Sequence, residues 1–316
     1  MKGFSKVLIV VLKVMTLSRL MRASPTCPPC VSSEVGIEIR QHKQIRGSSV
    51  YECGNGTLFF THPPPSMEQL DTLYRSKSTA FSNAHATHGP REKSQFEYIQ
   101  NMELEALDGP TGRTIVEVGC QHAGLLSLFG RLNDTLVCFE PSPLFTPERL
   151  LQPTGAHYHV VQKVWTQNAS KELQNVLGTD RPQINVFLSS HVIEHMGDLC
   201  EWARVLFELM APGGVVFTEV PNHTRDYVKY SHHSVWGKFH LSLPSPQGLM
   251  KIMMSAGFTL GQISTHSSFT TVGAHGKWIR SVFIKPVASK VGCGLDGMGP
   301  SPGNRGGTFE MRPSCS

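Results

Sequence analysis

The stretch that decides the fold is TIVEVGCQHAGLL, residues 114–126. It begins with a nearly continuous apolar run, turns at Gly119 and continues as a helix-like segment. A run that is apolar on both faces is typical of a parallel strand buried between two layers, and a glycine often marks the turn that follows. The stretch therefore predicts a strand, a tight loop and a helix in direct succession.

Further units of this kind extend to the carboxyl side. Gly213 and Gly214 end a helix-like segment, residues 198–210, and open another strand-like run. Alternating strands and helices predict a parallel sheet covered by helices, so the expected fold class is α/β, with a seven-stranded Rossmann-like sheet. The seven predicted strands are residues 113–120, 135–143, 157–165, 184–191, 213–221, 258–265 and 277–286.

Composition narrows the class of protein. The chain has 316 residues, of which 40% are hydrophobic and 17% charged, as expected for a globular enzyme rather than a disordered protein. The formal charge is only +5, and no basic stripe with interleaved aromatic residues is visible, so we expect no nucleic-acid partner. The oligomeric state stays open.

The amino terminus is basic and contains no acid before Glu34. Its apolar run, residues 7–12, is interrupted by Lys13 and is too short to span a bilayer. A signal-peptide core, a transit peptide and a disordered leader or upstream extension all fit this pattern. Four N-x-[S/T] sequons are given no weight, and an intracellular location, cytoplasmic or organellar, is favoured.

A candidate nucleotide site follows from two acidic residues. Glu117 lies near the end of the first strand and Glu140, 23 positions later, ends the second. An acid at that distance can accept both ribose hydroxyls of an adenosine. The loop after the first strand has too few glycines to bind a pyrophosphate well. S-adenosylmethionine carries no phosphate, and its ammonium group could interact with the carboxylate of Glu117. The expected cofactor-binding residues are Glu117, Gly119, Cys120, Ala123, Gly124, Glu140, Pro141 and Ser190.

Beyond the loop, the sequence resembles the class I S-adenosylmethionine-dependent methyltransferases. The segments LVCFEPSP (136–143), VFLSSHVIEHMGDL (186–199), LMAPGGVVFTEVPN (209–222) and FHLSLPSPQGLMKIMMSAGF (239–258) occur in the family's order and approximate spacing. The branch it most resembles is that of the sugar C-methyltransferases. This likeness implies methyl transfer to a small metabolite, such as a sugar or another oxygen-rich compound.

The resemblance also implies a zinc-ribbon-like module at the amino-terminal side. Its motifs read CPPC (27–30), YECGNGTLFF (51–60) and HPPPSMEQLDTLY (62–74) here. Cys27, Cys30 and Cys53 are therefore candidate structural zinc ligands, but Gly56 stands where the fourth cysteine belongs. His42 or His62 could complete the set, and a module that has lost its metal is the alternative. Cys120 and Cys138 are expected to be free, buried thiols.

Three histidines are candidate catalytic residues. His191 and His195 follow the fourth strand one helical turn apart, and a neutral imidazole suits general-base work. The resemblance implies that His240 is the base, although Phe239 replaces the family's acidic neighbour. Gln121 and Ala123 replace loop glycines, and a left-handed conformation at Gln121 would cost on the order of 1 kcal/mol.

These features divide the chain into four regions. They are a basic leader (1–24), the zinc-binding-like module (25–85), the methyltransferase domain (86–286) and a disordered tail (287–316). An active methyltransferase is the leading hypothesis. The alternatives are a catalytically impaired relative that serves as a binding or scaffold protein, and a nicotinamide-dependent oxidoreductase, which the phosphate-poor loop disfavours.

Overall fold

The computed structural model describes residues 27–31, 39–45, 48–66, 69, 72, 89–104, 107, 109, 112–145, 155–222, 240–266, 276–287 and 308–309. Among these residues the structure has the helices α1 (Pro90–Gln100), α2 (Gly124–Phe129), α3 (Ala169–Leu177), α4 (Leu199–Leu209) and α5 (Pro246–Ser255). The strands are β1 (Ile39–Ile45), β2 (Ser48–Cys53), β3 (Leu58–His62), β4 (Thr114–Val118), β5 (Thr135–Phe139), β6 (His157–Val161), β7 (Ile184–Ser190), β8 (Met210–Pro221), β9 (Ser242–Pro244), β10 (Thr259–His266), β11 (Trp278–Ile284) and β12 (Thr308–Phe309). The leader and nearly all of the tail, for which a targeting role and disorder were predicted, lie outside the described residues.

The main sheet confirms the predicted α/β fold. Its strand order is β12-β10-β11-β8-β7-β4-β5-β6. The strands from β8 to β6 are parallel, and β11 and β10 are antiparallel to their neighbours. All seven predicted strands are present, and the two-residue β12 adds a short edge. The order reverses between β4 and β7, which is where ligands bind in open sheets of this type.

Helices cover both faces of this sheet because successive strand residues point to opposite sides. Val116 of β4 packs in a core with Trp202 of α4, whereas its neighbour Ile115 packs with Ile99 of α1 and Leu126 of α2. This two-sided burial explains the continuous apolar runs in the sequence. Asp198 caps α4 by accepting hydrogen bonds from the backbone N–H groups of Cys200 and Glu201.

A second, antiparallel sheet has the order β1-β2-β3-β9. Its first three strands come from the region expected to form a separate module, whereas β9 comes from residues 242–244. Gly248 of α5 approaches this sheet so closely that a Cβ there would lie 1.9 Å from the carbonyl oxygen of Thr57. The small sheet is therefore packed on the carboxyl-terminal part of the larger unit.

The predicted start of a helix at Ser66 is confirmed by reciprocal hydrogen bonds. The backbone N–H of Gln69 donates to Ser66 Oγ at 3.2 Å, and that of Ser66 donates to Gln69 Oε1 at 2.8 Å. This is a capping box, in which both orphan donors of a first turn are satisfied. Most of the following helix-like segment, residues 67–76, lies outside the described residues.

The expectations for the cysteines are wrong. Cys27 is disulfide-bonded to Cys53, and Cys30 is bonded to Cys200 at the start of α4. A sulfur in a disulfide is not a thiolate, so these pairings leave Cys27, Cys30 and Cys53 without the ligand form that zinc requires.

Cys120 and Cys138 also form a disulfide and are not free thiols. The sequence did not indicate the two disulfides of the CPPC motif, because Cys53 and Cys200, which pair with Cys27 and Cys30, lie far from the motif along the chain.

Within the described part of the chain, no helix is both long enough and apolar enough to cross a membrane.

Candidate active site

A cavity of about 430 Å³ opens at the carboxyl ends of β4, β5, β6 and β7. This is the predicted position, next to the point where strand order reverses. Of the expected cofactor residues, all but Ala123 line it. The lining also includes His191 and His195 among the predicted catalytic residues, but His240 is not part of it.

The first loop, between β4 and α2, has a left-handed backbone conformation at three positions, as is usual in a glycine-rich loop. Gly119, Gln121 and Ala123 have φ values of 69°, 46° and 56°, all in the left-handed region. Gln121 therefore occupies the strained conformation that was foreseen for it. Ala123 does so too, and it is buried as the residue preceding α2 rather than in the cavity wall. Two side chains thus remain where glycine would be favoured.

Glu140 holds the loop in place. Its Oε2 accepts a hydrogen bond of 3.2 Å from the backbone N–H of Gln121, and its Oε1 accepts one of 3.0 Å from that of Ser142. Burial raises the pKa of Glu140, although these two bonds oppose the shift. The carboxylate is thus positioned at the end of β5 beside the first loop, and its contact with ribose hydroxyls stays a prediction.

Glu117 lies deeper, between β4 and α2. Its Oε2 accepts a 2.9 Å hydrogen bond from the backbone N–H of Leu126, and the side chain is buried. Burial raises the pKa of this carboxyl group to about 8, against the lowering effect of the bond from Leu126. A ligand cation in the adjacent cavity would favour the ionised form.

His191 also lines the cavity, directly after β7. Its φ is 56°, and its backbone N–H donates to the carbonyl oxygen of Glu219 at 2.8 Å. The ring lies between two buried carboxylates, with Nδ1 3.4 Å from Glu194 Oε1 and Nε2 3.4 Å from Glu219 Oε1. Burial would lower the pKa of His191, but the two carboxylates outweigh it and raise the pKa.

Glu219 of β8 anchors a charged network that sequence reasoning missed. Its Oε2 accepts a 2.6 Å bond from the buried Arg280 of β11, and its Oε1 accepts bonds from Arg91 at 3.1 Å and Gln95 at 2.8 Å. Burial would raise the pKa of Glu219, but His191, Arg91 and Arg280 together lower it to about 2. The carboxylate is therefore ionised, and it has strong partners other than His191.

Helix α1 brings Arg91 and Gln95 to the cavity. Both side chains donate to Ser190 Oγ, the bond from Gln95 being 2.7 Å long. The only signal in the sequence is an arginine and a glutamine one turn apart after Pro90, which is common on solvated helices. Other cavity residues that were not predicted include Glu92, His122, Phe145, Lys163, Trp165 and Met196.

The remaining predicted histidine lies just outside the cavity wall. The ring of His240 is 4.9 Å from that of His195, and its Nε2 is 4.0 Å from Glu194 Oε1. Burial would raise the pKa of Glu194, but the three histidines lower it. The structure thus brings His191, His195 and His240 together around one buried carboxylate. Phe239, noted as the replacement for an acidic neighbour, lies outside the described residues.

Comparison with known families supports the methyltransferase fold predicted from the sequence. A family model described as a methyltransferase domain matches residues 91–263, which is more than half of the chain. The chain belongs to this methyltransferase family. Its sheet order and its phosphate-poor first loop agree with a class I enzyme that uses S-adenosylmethionine.

Solved structures similar to the methyltransferase include three bacterial proteins. Magnesium protoporphyrin IX methyltransferase from Synechocystis, solved with S-adenosylhomocysteine, is 10% identical, with a TM-score of 0.47 and coverage of 68% of this chain and 99% of its own.

The N-methyltransferase NodS from Bradyrhizobium japonicum is 12% identical, with a TM-score of 0.42 and coverage of 63% and 98% respectively. An S-adenosylmethionine-dependent methyltransferase from Clostridium acetobutylicum is 9% identical, with a TM-score of 0.41 and coverage of 70% and 99%. None of the curated proteins searched matches the methyltransferase.

Proposed function

We propose that the protein transfers a methyl group from S-adenosylmethionine to a hydroxyl oxygen of a small metabolite, a sugar or a related oxygen-rich compound, with His191 as general base. The observation that carries this proposal is the position of His191 in the cavity wall, between two buried carboxylates. A cavity of about 430 Å³ is near the lower end of the range for ligand sites, which suits the cofactor and a small acceptor.

The reaction is an in-line displacement at the methyl carbon. The acceptor oxygen forms a bond to this carbon, the carbon–sulfur bond breaks, and the sulfonium leaves as a neutral thioether with the electron pair. The acceptor proton goes to a nitrogen of His191. Glu194 and Glu219 then stabilise the imidazolium that forms, as the carboxylate does in other acid–base pairs.

His191 is favoured over His240 for this role because His191 lines the cavity and His240 does not. Its Nε2 is the nitrogen more available to an acceptor, since the nearby Glu219 oxygen already receives shorter bonds from Arg91 and Gln95. The 3.4 Å separation from Glu219 is longer than the 2.7–2.9 Å of a strong charge-assisted bond. Nδ1 faces Glu194, which would orient the ring.

The test is binding followed by turnover. Titration calorimetry is carried out with S-adenosylmethionine, S-adenosylhomocysteine and a nicotinamide dinucleotide, and we expect micromolar binding of the first two and none of the third. A panel of sugars and other polyols is then screened for methyl transfer from labelled cofactor. His191→Asn should lower kcat by about a hundredfold or more while cofactor affinity stays within twofold.

His157→Asn is the matched control, because His157 is an exposed residue at the start of β6 and should leave turnover unchanged. Unchanged turnover of His191→Asn would remove His191 from the mechanism. Transfer only to nitrogen or carbon acceptors would refute the oxygen acceptor.

A binding or scaffold protein is the second candidate, favoured by the left-handed conformations of Gln121 and Ala123, which disfavour a tight loop around a cofactor. If none of the three ligands binds in the titration, this result would support the second candidate and contradict the enzymatic proposal.

A further inference from the structure

Glu194, His195 and His240 form a cluster beside the cavity. One ligand atom from each residue, a carboxylate oxygen or an imidazole nitrogen, lies within 4.8 Å of the others. Glu194 and His195 belong to a single 3-10 turn, Ile193–His195, whereas His240 comes from 45 residues further along the chain. Two imidazoles and one carboxylate are a common donor set for divalent transition metals.

The backbone fixes this arrangement. The N–H of Leu241 donates to the carbonyl oxygen of Glu194 at 2.7 Å, and the carbonyl oxygen of Leu241 accepts from Thr61 at 2.8 Å. His240 is therefore held against the 3-10 turn by the same segment that joins β9 to β3. Three donors supplied by two rigid segments need little reorganisation to surround an ion.

The Glu194 carboxylate gives an independent reason to expect a cation. Its side chain is 0% exposed, and neither oxygen has a hydrogen-bond partner among the described residues. His191 Nδ1 lies 3.4 Å and His240 Nε2 lies 4.0 Å from Oε1, and both distances exceed that of a short hydrogen bond. A buried carboxylate without short bonds is costly unless a positive charge compensates it.

We infer that Glu194, His195 and His240 bind one divalent transition-metal ion beside the part of the methyltransferase cavity that His195 lines. Donor atoms around a tetrahedral ion lie about 3.3 Å apart, so the cluster, whose ligand atoms lie within 4.8 Å of one another, has to contract by up to about 1.5 Å on binding. Because three protein ligands leave coordination positions open, the ion can also hold a ligand oxygen.

Its use in catalysis rests on the proposed function. His195 lines the cavity, so a hydroxyl oxygen of the acceptor can occupy an open position of the ion. Coordination lowers the pKa of a bound hydroxyl, so its proton is more easily removed by the general base. The acceptor would thus be selected as an oxygen ligand rather than by an apolar pocket.

Metal binding is tested without substrate or cofactor, so that its outcome does not depend on the proposed function. The full chain is treated with chelator, freed of it by dialysis and titrated with Co²⁺, monitored by calorimetry and by visible absorption. We expect one Co²⁺ per chain. Glu194→Gln and His240→Gln should each weaken binding by at least about tenfold, while His157→Gln leaves it unchanged.

The cobalt-loaded wild-type protein provides a measurement that needs no variant. Its proton NMR spectrum should contain two exchangeable, strongly shifted resonances from the N–H groups of two coordinated imidazoles. Less than about 0.2 Co²⁺ per chain, a spectrum with no such resonances, or equal affinity in Glu194→Gln would overturn the proposal. If Co²⁺ binds as expected but no polyol is methylated, the site stands and the proposed function fails.

Discussion

The backbone of Gly119 packs directly against Val192. A Cβ atom on Gly119 would lie 2.4 Å from Val192 Cγ2, and the residue has a φ of 69°. The loop after β4 and the segment after β7 therefore meet with no room for a side chain between them. This contact joins the expected cofactor side of the cavity to its histidine side.

We predict that Gly119→Ala abolishes measurable cofactor binding, because the added methyl group must displace Val192 as well as strain the backbone. Gly178→Ala is the matched control, since Gly178 has a φ of 63° but open space around its Cβ position. The control should lose about 1 kcal/mol of stability and retain cofactor affinity. Titration calorimetry measures the cofactor affinity of both variants, and denaturant unfolding measures their stability. Recovery of binding in Gly119→Ala/Val192→Ala would prove the steric cause, and normal binding by the single variant would contradict it.

Gln121→Gly should tighten cofactor binding by about five- to tenfold. The left-handed φ of 46° costs on the order of 1 kcal/mol with a side chain present, and this cost is relieved by glycine. Overall stability should change less, since glycine also increases the conformational entropy of the unfolded chain.

The control for this substitution is Asn133→Gly. Asn133 has a φ of 67°, but asparagine tolerates the left-handed region and the residue lies away from the cavity lining. Weaker cofactor binding by Gln121→Gly would show that the glutamine side chain contributes a contact of its own.

Glu117 should make cofactor binding depend on pH. Burial raises the pKa of its carboxyl group to about 8, so the free protein is mostly protonated there at neutral pH. The ammonium group of the cofactor favours the carboxylate, so binding at pH 7 should release close to one proton, and affinity should rise between pH 6 and about 7.5.

Calorimetry in two buffers of different ionisation enthalpy measures this proton release. Glu117→Gln is a close isostere that can still accept the bond from Leu126, yet it has no proton to release. The variant should bind more weakly, with an affinity that is flat over the same pH range. Equal proton release by both proteins would exclude Glu117 as its source.

The parts of the fold that are determined locally could be predicted from the sequence. Runs that are apolar on both faces, such as the one around Val116, identify buried parallel strands. Asp198 and Ser66 mark the starts of helices, because each side chain caps backbone N–H groups no more than three residues away. The 23-residue interval between Glu117 and Glu140 correctly placed both carboxylates beside one cavity, because it reflects one strand-to-strand repeat.

Features that depend on distant segments could not be predicted in this way. Nothing near Arg280 in the sequence indicates its pairing with Glu219, 61 residues away, and the contributions of α1 depend on how that helix packs over the sheet. The CPPC motif was misinterpreted for the same reason. Short spacing suggested a shared metal, whereas tertiary packing brings each cysteine to a different remote partner.

The disulfides give a last prediction, which separates them from a zinc site. In protein purified without reductant and unfolded in denaturant with chelator, at most two of the eight cysteines should react with a thiol reagent, since six are paired. After reduction, all eight should react. A zinc site built from Cys27, Cys30 and Cys53 would instead release three reactive thiols on chelation.

Breaking the Cys30–Cys200 bond should also destabilise the fold. These residues are 170 positions apart, and a cross-link of that span lowers the entropy of the unfolded chain by the equivalent of about 5 kcal/mol in the loop-closure model. Cys30→Ser/Cys200→Ser should therefore lower Tm by several degrees, and the other two disulfides limit the loss because they still constrain the unfolded state. Replacing both partners avoids a new unpaired thiol. An unchanged Tm would show that the small sheet and α4 are held together by packing around Val31 and Trp202 alone.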